Sequence, residues 1–328
     1  MGDPPNARGA HVLSIATLLL LGCRPEVPDP PDTDTDAPVD TDLPGPPVVD
    51  CSAPLPPFEL GEPLPAPRAN RSLAIAGDTL VGWDTTSLIR STGPHDAALW
   101  VPEITAFGGM VFLDDGSLVV SEHLRTENVL RVQPEGGVEI LATGLRAYGI
   151  VKGPDGRIWA TAEPDTIYRI DPDTGEVDAS FVLPADVLPR ISDFSPAGDR
   201  LYVGTRNEQG TIWAFDLDSD GEPAEGVPFA TTEGTFHDVL VVDACGDLYV
   251  TAYEGSAVYR ISPDGEVETL ATFQPVDHVH GAAFGSGVGA WDDHTLYVAQ
   301  PNRGNLVSAW PLGRPARDWR GGDYTVSR

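Results

Sequence analysis

Seven histidines and 20 basic side chains carry most of the chemistry this 328-residue chain can offer. His237 and Asp238 stand side by side at the head of an apolar run, HDVLVV. His278 and His280 flank Val279 at the head of another, VHGAAF. Tyr148, Arg190, Gly108 and Gly109 hold comparable places before or within apolar stretches, and Asp193 lies three positions after Arg190. Three readings of this set are open. His237, His280 and Asp238 make a nitrogen and oxygen donor set that suits zinc or a similar ion. Arg190 with the histidines instead suits a carboxylate ligand, because a guanidinium binds that group through paired charge-assisted hydrogen bonds. The third reading is a water-filled channel lined by hydrogen-bonded polar side chains.

Two further patterns invite chemistry. Asp216, Asp218 and Asp220 followed by Gly221 match the opening of a calcium loop. The twelfth position is Val227 rather than a bidentate glutamate, so a turn between strands competes with weak calcium binding. Of the three cysteines, Cys51 and Cys245 are left once Cys23 is set aside, and an even remainder predicts one disulfide. The chain has no G-x-S-x-G elbow, phosphate loop, dinucleotide fingerprint or C-x-x-C pair. The glycines of FGSGVGAW (284–291) read as a turn and a close contact between elements.

These residues need a scaffold, and the sequence repeats one. From residue 70 a unit recurs: an apolar strand, a Gly/Asp turn, then Leu or Ile followed by Val, Tyr or Trp. Its copies are LVGW, LVVS, IWAT, LYVG, LYVT and LYVA, anchored at Leu80, Leu118, Ile158, Leu201, Leu248 and Leu296. A third strand follows, often with an internal arginine (Arg131, Arg169, Arg260), and turns such as DPDTG and SPDG lead to a fourth. Four short strands per unit of roughly 40 residues describe a β-propeller blade. Blades cannot bury both faces alone and must stack around an axis. The expected fold is therefore all-β, a six-bladed propeller over residues 70–313. Arg71–Gly77 either opens the first blade or closes the ring on the last. The starts of the innermost strands then converge on one mouth of an axial channel, which gathers Tyr148, Arg190, His237, Asp238, His278 and His280, with Asp193 on the channel wall.

DFSPAGDRLYVG (193–204) with GTIWAFDLDSDGEP (210–223), and HDVLVVDACGDLYV (237–250) with AVYRISPDGEVETL, resemble blades of the senescence-marker-protein, gluconolactonase and luciferin-regenerating-enzyme family. Residues 284–299 resemble the last blade of exported, lipid-anchored bacterial relatives. The resemblance implies a divalent cation, calcium or zinc, at one channel mouth, polarising a lactone or ester carbonyl and activating water. It implies three ligands: a first-blade glutamate, an asparagine in P-N-G and an aspartate in P-D-G. The last corresponds to Asp238, which with His237 would be the catalytic candidate. The second corresponds to Arg190 in Pro189-Arg190-Ile191, and nothing near Asn70-Arg71 supplies the first.

The N-terminus reads as an address. Val12–Leu21 is an apolar run of ten, too short to cross a membrane and suited to a signal peptide. It ends in Leu-Leu-Gly-Cys, which resembles the bacterial lipobox and marks Cys23 as the lipidated residue. Residues 24–50 hold eight prolines and eight acidic residues without an aromatic, a composition that stays extended as a tether. The expected organisation is signal peptide 1–22, tether 23–69, propeller 70–313 and tail 314–328. The formal charge of −30 excludes nucleic-acid partners. The expected protein is a monomer, anchored by lipid in the bacterial outer membrane and facing the periplasm or the surface. It binds a small molecule or a surface partner, with metal-dependent lactone or ester hydrolysis as the alternative.

Overall fold

Alternation of buried Val, Leu, Ile and aromatic residues with turn-forming Gly, Asp and Pro produces short antiparallel strands and little else. The computed structural model describes residues 48–123, 125–184, 187–207, 210–274, 278–317 and 325–327. The expected signal peptide, Cys23 and residues 24–47 of the expected tether lie outside the described residues. Contacts divide the chain after Gly45, and everything described belongs to the unit from Pro46 onward.

Strands β1 (Val48–Asp50) and β2 (Pro63–Arg68) precede the repeats. Blade one is β3 (Leu73–Ala76), β4 (Thr79–Trp83), β5 (Leu88–Ser91) and β6 (Ala98–Val101). Blade two is β7 (Met110–Phe112), β8 (Leu118–Ser121), β9 (Val129–Val132) and β10 (Val138–Ala142). Blade three is β11 (Ala147–Lys152), β12 (Ile158–Ala162), β13 (Thr166–Ile170) and β14 (Val177–Val182). Blade four is β15 (Pro189–Phe194), β16 (Arg200–Thr205), β17 (Thr211–Asp216) and β18 (Val227–Thr231). Blade five is β19 (His237–Val242), β20 (Leu248–Ala252), β21 (Ala257–Ile261) and β22 (Val267–Thr272). Blade six contributes β23 (Ala282–Phe284), β24 (Thr295–Gln300) and β25 (Leu306–Pro311), and β26 (Thr325–Ser327) pairs in parallel with β1. The fold is an all-β propeller of six four-stranded blades.

The outer strand of blade six is β2, hydrogen-bonded to β25. The ring is thus closed by Pro63–Arg68, from the stretch expected as tether, while Leu73–Ala76 opens blade one. PLPAPR reads as a linker by composition, but an outermost strand leaves one edge unpaired and tolerates proline there. Closure joins the first and last blades, so the sheet series ends without a free blade face.

The repeat anchors Leu80, Leu118, Ile158, Leu201 and Leu248 are fully buried, and Leu296 nearly so. Three of the third-strand arginines act between blades, while Arg260 pairs with Glu268 of its own blade at 2.5 Å. Arg90 donates to the Pro134 carbonyl of blade two, Arg131 to Pro172 of blade three, and Arg169 to Glu222 of blade four at 2.8 Å. Each reaches the turn between the third and fourth strands of the next sector, so one side-chain type staples successive blades at the same level. The expected disulfide is present: Cys51 joins Cys245 across 194 positions and fastens the segment before β2 to blade five.

Candidate ligand site at the channel mouth

Six innermost strands start at one end of the channel, and close approach there is enforced by glycine. A Cβ on Gly149 would lie 2.5 Å from Thr161 Oγ1, and one on Gly281 only 2.2 Å from the Arg71 carbonyl. Gly108 and Gly109 are packed equally tightly, against the Tyr148 carbonyl and the Ile150 amide, so they shape the wall and supply no chemistry. This narrowing lets side chains from opposite blades meet.

At their centre is Asp238, buried at the start of β19. Arg190, from the start of β15, donates through Nε to its Oδ1 at 2.5 Å and through a terminal nitrogen to the Tyr148 hydroxyl at 2.7 Å. That hydroxyl in turn lies 3.3 Å from the same carboxylate oxygen. His280 Nδ1 is 2.8 Å from Oδ2. Arg71, just before β3, places a terminal nitrogen 3.4 Å from His280 Nδ1 and its guanidinium 4.0 Å above the Phe107 ring. Arg190 stacks likewise on Tyr148 at 3.9 Å. One guanidinium and one imidazole therefore flank the carboxylate, and the Arg71 guanidinium stands behind the imidazole. Burial alone would raise the Asp238 pKa, but His280 and Arg190 outweigh it and hold the group below the usual carboxylate range. Burial, reinforced by Asp238, pushes the Tyr148 phenol far up, so it stays protonated.

The rim is aromatic. Tyr253 stacks on His278 at 4.2 Å and tilts over His280 at 5.0 Å. His123 stands edge-on to Tyr148 at 5.1 Å, and burial lowers its pKa. A cavity of about 70 Å³ lies inward of this rim, walled by Arg71, Phe107, Tyr148, Asp238 and His280 among others.

Other expected residues go elsewhere. His237 faces the inter-strand wall, where its Nδ1 accepts from the Thr205 amide at 3.1 Å and its Nε2 lies 2.9 Å from Thr232 Oγ1. Both ring nitrogens are thus committed to the wall, away from Asp238's partners, and burial lowers the His237 pKa to about 4. Asp193 belongs to the far end of β15. One of its oxygens accepts from the Val242 amide at 2.9 Å and the other pairs with Arg317, which enters from the C-terminal segment. Asp193 thus fixes the far end and stands apart from the mouth. Asp218 caps its own turn by accepting from the Asp220 and Glu222 amides, both at 2.9 Å, and Asp216 pairs with Arg200 at 2.6 Å. The D-x-D-x-D-G stretch is accordingly a turn in which the Asp216 and Asp218 carboxylates already have partners. Arg71, Phe107, His123, Tyr253 and Arg317 escaped sequence reasoning. Only Arg71 left a signal, its place before an inner strand matching that of Arg190.

A family profile, the SMP-30/gluconolactonase/LRE-like region, matches residues 104–301. The chain belongs to this family. A gluconolactonase from Xanthomonas campestris shares 18% identity over 83% of this chain and 99% of its own, with a TM-score of 0.62. Regucalcin from Agrobacterium tumefaciens, described as a calcium-binding protein, shares 17% over 80% and 96%, TM-score 0.61. An auxiliary nutrient-binding protein from Bacteroides thetaiotaomicron shares 12% over 74% and 69%, TM-score 0.58. At these identities the likeness is one of fold.

The mouth does not fit the divalent cation that family membership implies. Hard cations need several oxygen ligands, preferably anionic. Asp238 is the one carboxylate at the centre, and Arg190 and Arg71 stand where further oxygen donors would be required. Among the described residues, three His, Cys or carboxylate ligands come within mutual reach at Asp292, Asp293 and His294, on the loop between β23 and β24. That exposed acidic cluster lies off the far end of β23 and does not include the mouth.

Proposed function

We propose that this member of the family is a binding protein that takes a small ligand at the Asp238 mouth without a metal there. The carrying observation is the Arg190–Asp238 pair at 2.5 Å, which fills with a cation the position a metal ligand would hold. Larger space exists at the opposite end, a cavity of about 680 Å³, but aliphatic strand ends form much of its wall and Asp193 is already paired with Arg317. The mouth, though small, has the convergent polar groups that fix a ligand's orientation. Calcium, manganese or zinc should leave the melting temperature unchanged, and EDTA should do no more. A metal-induced rise of several degrees that disappears in Asp238→Ala would refute the reading.

Lactone or ester hydrolysis stands as the second reading, supported by family membership and by the gluconolactonase among the structural relatives. A lactone-hydrolysis screen with and without added metal decides between them. Turnover that requires metal and is abolished by Asp238→Ala would favour the hydrolase. Export and lipid attachment at Cys23 belong to the same proposal, and the Cys51–Cys245 bond suits an oxidising compartment. Wild type should partition into a detergent phase from bacterial membranes, and Cys23→Ser should remain in the aqueous phase.

A further inference from the structure

The charges at the mouth do not cancel. Arg190 is matched by Asp238. Glu163 is engaged by Arg206 at 2.7 Å and Arg146 at 3.6 Å, and Glu127 by Arg146 at 3.3 Å. No carboxylate among the described residues pairs with Arg71. Its guanidinium lies on Phe107 and beside His280, a residue already turned to Asp238. In a chain of formal charge −30, an uncompensated cation at the edge of a small cavity is a local inversion of sign.

We infer that the ligand is an organic acid whose carboxylate enters the cavity beside Arg71. This deepens the ligand-binding reading above and rests on it. Size supports the division of labour. The cavity of about 70 Å³ is roughly the share of two water molecules, enough for a carboxylate and too little for a whole metabolite. The body of the ligand must then remain in the rim, where Phe107, Phe236 and Tyr253 are only part-buried and offer apolar ring edges. Arg71 supplies the charge and a planar fork of donors, with the Tyr148 hydroxyl nearby. Asp238 opposes any anion. Its charge is held by Arg190 and His280, so it tightens the selection toward a single carboxylate and against more highly charged phosphates.

The test uses calorimetric titration of the purified propeller with a panel of monocarboxylic acids of aromatic, sugar-acid and short aliphatic body, each beside its primary amide. At least one acid should bind ten-fold or more tightly than its amide. Arg71→Gln should remove that preference, and Arg71→Lys should restore part of it while both variants keep the wild-type melting temperature. Inorganic phosphate should compete weakly. If an amide binds as tightly as its acid, the protein is a ligand-binding one but the carboxylate inference fails. If no panel member binds, the inference and the reading beneath it both fail. Equal acid preference in wild type and Arg71→Gln would move the anion away from Arg71 and overturn the inference.

Discussion

Asp238 shows how neighbours set the state of one buried carboxylate. A buried carboxylate held by Arg190 and His280 is an ion pair that tolerates loss of neither side. Arg190→Ala should therefore destabilise the protein by about 3–5 kcal/mol, measured by urea denaturation, because it leaves a buried charge under-compensated. A smaller loss than about 1 kcal/mol would mean that water reaches Asp238. Two other buried groups make the pH response legible. Burial and then Asp247 raise the Asp243 pKa to about 6, so its folded form holds an extra proton, and the stability this gives is lost as pH rises from about 4 to 6. His237 has the opposite sign: its pKa is lowered to about 4, so its contribution is complete above about 6.5 and is lost on acidification. The two oppose each other over the same window. Asp243→Asn should make stability fall more steeply than wild type between pH 6.5 and 4, by on the order of 2–3 kcal/mol, and His237→Gln should make it fall less. Parallel wild-type and variant profiles would dispose of both assignments.

Among the elements, the ring depends on contacts made by segments outside the repeats. β2 completes blade six, Phe58 packs edge-on to Trp310 at 5.8 Å, and Arg314 joins the Cys51 carbonyl at 2.9 Å to Asp247 at 2.5 Å. The disulfide ties this corner across almost the whole propeller, and chain-entropy reasoning gives such a long loop a stabilisation of about 5 kcal/mol. Cys245→Ser should lower stability by up to that amount in chemical denaturation. An unchanged midpoint would show that Phe58 and β2 hold the closure unaided. The same corner limits sequence reading: six anchors at regular spacing revealed the blades, whereas a proline-rich closing strand has no hydrophobic period to reveal it.

For the whole chain, a formal charge of −30 produces self-repulsion that counter-ions relieve. Raising sodium chloride from about 20 mM to 0.5 M should increase the melting temperature by several degrees, since the Debye length shrinks from about 20 Å to under 5 Å. A flat response would mean that opposing charges on neighbouring blades already neutralise the surface field.

By itself the sequence determined the blade number, the all-β class, the disulfide partners and the convergence of Tyr148, Arg190, Asp238 and His280, because hydrophobic period and cysteine count are local signals that the ring has to obey. Tertiary structure decided which atoms face one another: His237 turned into the wall, Asp193 claimed by Arg317, Arg71 brought over the cavity from a blade far away in the chain. Those outcomes depend on side-chain direction and on closure between distant sectors, and neither is encoded in any short stretch of residues.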